Sequence, residues 1–167
     1  MNNKQRVSWF QRIVQQIARI EPVTKFFSRR IQKMDQFVMK VSKGKTTASR
    51  FLLGFPTIWV TTVGRKTGQR STVPLVGIPD DDCYILIASN FGRKQLPNWY
   101  HNVINNPHVS VGRNGFEKKY VAQEVNGSDY DRMWLMAVDL YPGYEDYKTR
   151  AGDRKIPVIK LTALHDP

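Results

Sequence analysis

The run Thr61-Thr62-Val63-Gly64-Arg65-Lys66-Thr67-Gly68-Gln69-Arg70-Ser71-Thr72-Val73-Pro74 constrains this chain more than any other stretch. A β-branched run stops at Gly64, a second glycine follows at Gly68, and a new extended run begins at once. β-branched residues favour strands, and glycine tolerates the tight turn between two of them. The turn carries Arg65, Lys66 and Arg70 as cationic donors and Thr67 and Ser71 as hydroxyls. Such groups, where backbone can approach closely, suit an anion seated between two strands. The amides after Gly64 and Gly68 are expected to complete that seat. An ordinary charged turn facing water would use the same residue types, so the turn alone does not identify a ligand.

β-type patterning starts near residue 56. Strands are predicted at 57–63, 71–78 and 83–89, and a hairpin at 109–111 and 116–125 around Asn114-Gly115. A final strand is predicted at 156–161. Asp80-Asp81-Asp82 marks a turn, and 90–95 a polar loop with Gly92, Arg93 and Lys94. Pro97 opens a helix through Trp99, Tyr100, Val103 and Ile104 that closes at Asn106-Pro107. Ser128 caps a helix reaching Asp139; Tyr141-Pro142-Gly143 interrupts it, and a short helical piece spans 144–150. Six or so strands joined mostly by tight turns make an α+β fold, mainly β, as a small antiparallel barrel with helices packed on it.

The charge is uneven. The chain of 167 residues carries +12, yet residues 1–50 hold +10 of it, with only Glu21 and Asp35 opposing the cations. Residues 51–167 form a nearly neutral domain large enough for one core. The arm reads as two helices, one over 4–20 with Val7, Phe10, Val14 and Ile17 on one face, the other with Phe27, Ile31, Met34, Val38 and Val41 as a stripe. It either packs on the domain with its charges solvated or lies on an anionic membrane surface, which Trp9 and Phe10 would suit. Binding nucleic acid is disfavoured, because the strands show no aromatic stacking platform. No secretory signal or spanning segment is apparent, and the single Cys83 allows no internal disulfide, so a cytoplasmic protein is expected, with a peripheral place on the inner membrane face if the arm binds lipid. No His/Cys spacing suggests a metal.

Several separate pieces then fall into a known order: Thr62 to Gln69, Pro74-Leu75, Ala88-Ser89, Pro97-Asn98-Trp99-Tyr100-His101-Asn102 and Asn106-Pro107. Over about residues 50–165 the chain resembles the deazaflavin-dependent nitroreductase family, the branch of flavin and deazaflavin oxidoreductases that uses coenzyme F420. The resemblance implies a six- to seven-stranded antiparallel split β-barrel of the FMN-binding type, often dimeric. It implies hydride transfer from reduced F420 to an apolar acceptor: a quinone, a nitroaromatic or an activated alkene. The phosphodiester and oligoglutamate tail of F420 would meet the turn at 65–70. Cofactor contacts are expected at Gly64, Arg65, Lys66, Thr67, Gly68, Arg70, Ser71, Val73, Pro74, Ala88, Ser89, Asn90, Arg93, Trp99 and Asn102. His101 is read as a structural histidine.

Where many relatives place Lys-Gly after the serine, this chain has Asn90-Phe91-Gly92. Either Arg93 or Lys94 replaces the missing cation, or the cofactor is FMN, FAD or haem instead. Tyr141, Tyr144 and Tyr147 recur every three residues and either line a pocket mouth or pack under a loop. The resemblance places tyrosines near the substrate. Tyr141, Tyr144 and Ser89 are therefore the expected catalytic hydrogen-bond donors.

Overall fold

The computed structural model describes residues 54–113 and 116–164. The basic arm with its two expected helices, and the Asn114-Gly115 turn, lie outside the described residues. Seven strands form one antiparallel sheet: β1 (Thr57–Val63), β2 (Arg70–Val76), β3 (Ile78–Asp80), β4 (Cys83–Ile87), β5 (His108–Arg113), β6 (Phe116–Glu124) and β7 (Val158–Ala163). Among the described residues three α-helices accompany them: α1 (Asn98–Asn105), α2 (Gly127–Leu140) and α3 (Gly143–Ala151).

The strand order is β2-β1-β5-β6-β7-β4-β3. The two outer strands, β2 and β3, are consecutive in the chain. The sheet must therefore curl until its edges meet, and β2 does approach β4. The single strand expected over 71–78 is thus two strands, broken at Gly77. Its amide donates to the Pro56 carbonyl (2.8 Å), and a Cβ there would lie 2.5 Å from Ile58 Cδ1. Only glycine lets the chain turn the corner that close to β1.

Side chains alternate between two cores, as a period of two requires. Inside the curl lie Ile58, Val60, Val111, Leu86, Ile159 and Leu161, with Trp99 and Val103 of α1 plugging one end. On the outer face, Ile78, Ile85 and Val158 pack under Met133, Trp134 and Ala137 of α2 and under the three tyrosines of 141–147. Neighbours Ile85 and Leu86 thus serve different cores, which explains the unbroken apolar run in β4.

Other boundaries move by a few residues. α2 begins at Gly127 after Asn126, not after a Ser128 cap, and the Asn126 Oδ1 instead accepts from Lys155 Nζ (2.6 Å). β7 starts at Val158, beyond Pro157, whose carbonyl accepts from the Ala88 amide (2.9 Å). Because β1 and β4 run in the same direction, Val63, Arg70 and Ile87 all lie at one end of the sheet. That end carries the candidate site.

Candidate cofactor site

The turn from Gly64 to Gln69 is a closed structure. The Gly64 amide donates to the Gln69 carbonyl (2.8 Å), and the Gly68 amide donates to the Gly64 carbonyl (2.8 Å). Gly68 has φ +67, a left-handed conformation that glycine adopts without strain. Gly64 is needed for space: a Cβ there would sit 2.7 Å from Thr67 Oγ1 and 3.2 Å from the Gln69 carbonyl oxygen. The amides expected to cradle an anion are already used. Arg65 N donates to Asn102 Oδ1 (3.1 Å), and Gln69 N donates to Thr67 Oγ1 (3.3 Å). Those two amides are therefore not free to cradle an anion, and the groups this turn leaves available are side chains.

Asn102 is the brace. It is buried on α1, its Oδ1 holds Arg65 N, and its Nδ2 donates to the buried Thr62 Oγ1 (2.9 Å). Both ends of the amide are engaged, so Asn102 fixes the turn against the helix. Arg65 and Lys66 stand exposed beside it, with no side-chain hydrogen bond or ion pair among the described residues. Arg70 points to the outer face instead, donating to Ser110 Oγ (3.3 Å) and Glu117 Oε1 (3.2 Å). Both members of that pair are more than half exposed, at 67% and 58%, so it contributes at most about 1 kcal/mol. Ser71 is exposed at the start of β2, while Val73 packs on the inner core and Pro74 is half-buried.

The second loop follows β4. Ala88 is fully buried in the inner core beside Trp99, and Ser89 is 8% exposed. The Ser89 hydroxyl has no partner among the described residues. Asn90, Phe91 and Gly92 then turn with φ of 47, 60 and 76. Left-handed backbone costs an ordinary residue about 1–2 kcal/mol, and Phe91 lacks the short polar side chain that eases it for Asn90. Tertiary contacts hold the turn. Asn90 Nδ2 donates to the Gln95 carbonyl (2.7 Å), and a Cβ on Gly92 would lie 2.7 Å from the Tyr147 carbonyl oxygen. The Phe91 ring meets Tyr147 edge-on (5.8 Å). Arg93 and Lys94 are exposed just beyond, with the Arg93 guanidinium 5.9 Å from the Phe91 ring.

Tyr141, Tyr144 and Tyr147 form a mutual edge-to-face cluster with centroids 5.7 to 6.0 Å apart. They are buried behind the Ser89 loop, joined by Phe55 and Trp134. Burial first, then the neighbouring tyrosines, pushes the Tyr144 and Tyr147 hydroxyls well above 10.0. Both stay protonated at any working pH. His101 contacts the Tyr100 ring (5.5 Å), and Tyr100 donates to Glu124 Oε2 (2.8 Å). Among the described residues no three His, Cys, Asp or Glu side chains gather as a metal site would need, and no helix is long and apolar enough to cross a membrane.

One residue escaped the sequence reading. Arg154, between α3 and β7, donates to the Ser89 and Arg93 carbonyls (2.8 Å each). Nothing in its sequence context, Gly152-Asp153-Arg154-Lys155, distinguishes it from a surface cation.

An F420H(2)-dependent quinone reductase of Mycobacterium tuberculosis is 34% identical over 110 residues, 64% of this chain and 73% of that protein. A solved F420-H2 dependent reductase, 36% identical, superposes with a TM-score of 0.59 over 64% of this chain and 93% of its own. A second solved structure, a domain-swapped dimer, is 30% identical with a TM-score of 0.61 over 84% of this chain and 97% of its own. The relatives so named are F420-dependent proteins. Residues 30–163 match the profile of the F420H(2)-dependent quinone reductases, and the chain belongs to that family of split-barrel oxidoreductases, whose cofactor is coenzyme F420.

Proposed function

We propose that this protein holds F420H2 with its anionic tail on the Gly64–Gln69 turn and its ring system beside the Ser89 loop, and that the acceptor is a quinone. The observation that carries the reading is Arg65 and Lys66, unpaired among the described residues, on a turn pinned by Asn102 at the sheet end where Ser89 lies. These groups fit the cofactor: a phosphodiester and several glutamates need multiple cationic donors in a fixed place. When bound, F420H2 supplies a hydride, and one proton then completes a hydroquinone.

The chain's own groups bind and orient. Arg65 and Lys66 take the phosphodiester, and Arg93, Lys94 and Arg70 extend positive charge along the path of the glutamates. Gly64, Thr67, Gly68 and Asn102 keep the turn in shape. Val73 and Trp99 form the apolar side, with Ser71 at its rim; Ala88 backs them from within the inner core, and Pro74 lies on the opposite face of β2. The Ser89 hydroxyl and the Asn90 segment face the ring system. The Ser89 hydroxyl is assigned as the hydrogen-bond donor to the acceptor oxygen, while Tyr141 and Tyr144, expected as donors from the sequence, are buried in the outer-face core and back the Ser89 loop instead. Solvent supplies the proton transferred.

The test is a titration of purified protein with F420H2, followed by addition of a soluble naphthoquinone. Binding at micromolar concentration and oxidation of the bound coenzyme by the quinone are expected. Failure to bind, or a flavin or Soret band in freshly purified protein, would contradict the reading. Nitroaromatics and activated alkenes in the same assay define how far the acceptor range extends.

Two partners follow. The chain is assigned to a homodimer because a similar solved structure is a domain-swapped dimer, and light scattering should give twice 19.4 kDa. The arm's charge of +10 supports contact with an anionic membrane, which would bring lipid-soluble quinones close. Flotation of the full chain, but not of a chain beginning near Arg50, on anionic vesicles is the expected result.

A further inference from the structure

We propose that Arg154 is a positioning residue for the cofactor: its guanidinium ties the Ser89 and Arg93 carbonyls together and so holds the turn between them in the shape that presents Ser89, Arg93 and Lys94. The inference rests on the F420 reading above.

The two carbonyls are the two ends of the turn. Arg154 Nη2 donates to Ser89 O and Nε to Arg93 O, both at 2.8 Å, and Nη1 reaches the Lys155 carbonyl at 3.3 Å. Within the turn the Gly92 amide donates to Ser89 O (3.0 Å) and the Arg93 amide to Asn90 O (3.1 Å). Between them Asn90, Phe91 and Gly92 are all left-handed, at φ 47, 60 and 76. A run of this kind containing a phenylalanine does not persist by local preference, so it needs a tertiary restraint. α3 supplies one, through the close approach of Gly92 to Tyr147. Arg154 supplies the other, from the chain entering β7.

Arginine is suited to the task. Its planar fork presents donors at fixed separation, so one side chain spans both carbonyls at once, whereas a lysine ammonium offers a single point charge. Among the described residues Arg154 has no carboxylate partner; its hydrogen bonds there go to backbone carbonyls. It therefore also leaves positive charge behind the loop, and the charge and fork contributions need separating.

Arg154→Lys keeps the charge and removes the fork; Arg154→Met removes both. Amide exchange of the protein without coenzyme reads the turn, and F420H2 titration with quinone turnover reads the consequence. In both variants exchange at Gly92 and Arg93 should quicken ~10-fold while amides of β4 and β7 stay as in wild type, and F420H2 affinity and kcat should both fall ~10-fold. If Arg154→Lys matches wild type and Arg154→Met alone is weakened, only the charge matters and the positioning role is overturned. Unchanged affinity and turnover with quickened exchange would overturn the link to the cofactor. Should Arg154→Met fail to fold, Arg154→Lys carries the same comparison. Wild-type protein that binds no F420H2 would overturn the functional reading and the cofactor half of this proposal with it, whatever the exchange data show.

Discussion

The two loops at the site end of the barrel reach definite shapes by opposite means. The turn from Gly64 to Gln69 puts glycine at its positive-φ position, closes its own hydrogen bonds and needs one outside brace, Asn102. The Ser89–Arg93 turn puts asparagine and phenylalanine at positive φ and depends on α3 and Arg154. The first is a locally determined platform for charge. The second is shaped from outside, beside the place assigned to chemistry, where strained backbone commonly gathers.

The largest expected effect breaks the first loop's chemistry without its shape. Replacing both Arg65 and Lys66 by alanine should lower F420H2 affinity by roughly 100-fold, as the loss of two charge-assisted contacts implies, with thermal stability within about 0.5 kcal/mol of wild type. Isothermal titration beside a melting curve reads both. Breaking the shape instead, Gly64→Ala drives a Cβ against Thr67 and should cost about 1–3 kcal/mol of stability and on the order of 10-fold in affinity. Asn102→Ala leaves the buried Thr62 hydroxyl and the Arg65 amide without their partner. About 1–3 kcal/mol is expected in urea unfolding, with selective loss of amide protection at Arg65.

A pair of substitutions sharpens the comparison itself. Gly68→Ala meets open space at φ +67, so only backbone strain acts, and about 1 kcal/mol should be lost. Phe91→Gly at φ +60 relieves similar strain but forfeits the edge-on contact with Tyr147, so its net change should stay within about 1 kcal/mol.

The first loop was legible because its determinants are local: glycine spacing, β-branched flanks and clustered cations all sit within one short run. Most strands and α1 were legible for the same reason. The break at Gly77 was not, because only its contact with Ile58 across the curl distinguishes it from any strand glycine. Arg154 was invisible because its partners are carbonyls 61 and 65 residues earlier in the chain. The tyrosines were visible as a spacing, but their burial depends on how α2 and α3 cover the sheet. That burial has its own consequence at high pH. Tyr144 and Tyr147 are raised above 10.0, so the folded chain resists their ionisation while the unfolded chain does not. Their contribution to stability should be complete below pH 10 and should decline as pH rises beyond it, read by urea unfolding at successive pH values.

The central claim is that the cationic turn grips the anionic end of the coenzyme. Its most direct test compares wild-type affinity for intact F420 with affinity for the same deazaflavin stripped of phosphate and glutamates, at rising salt. Intact coenzyme should bind at least ~100-fold more tightly at low salt, with the gap narrowing as salt is added. Equal affinity for the two at every salt concentration would contradict the account.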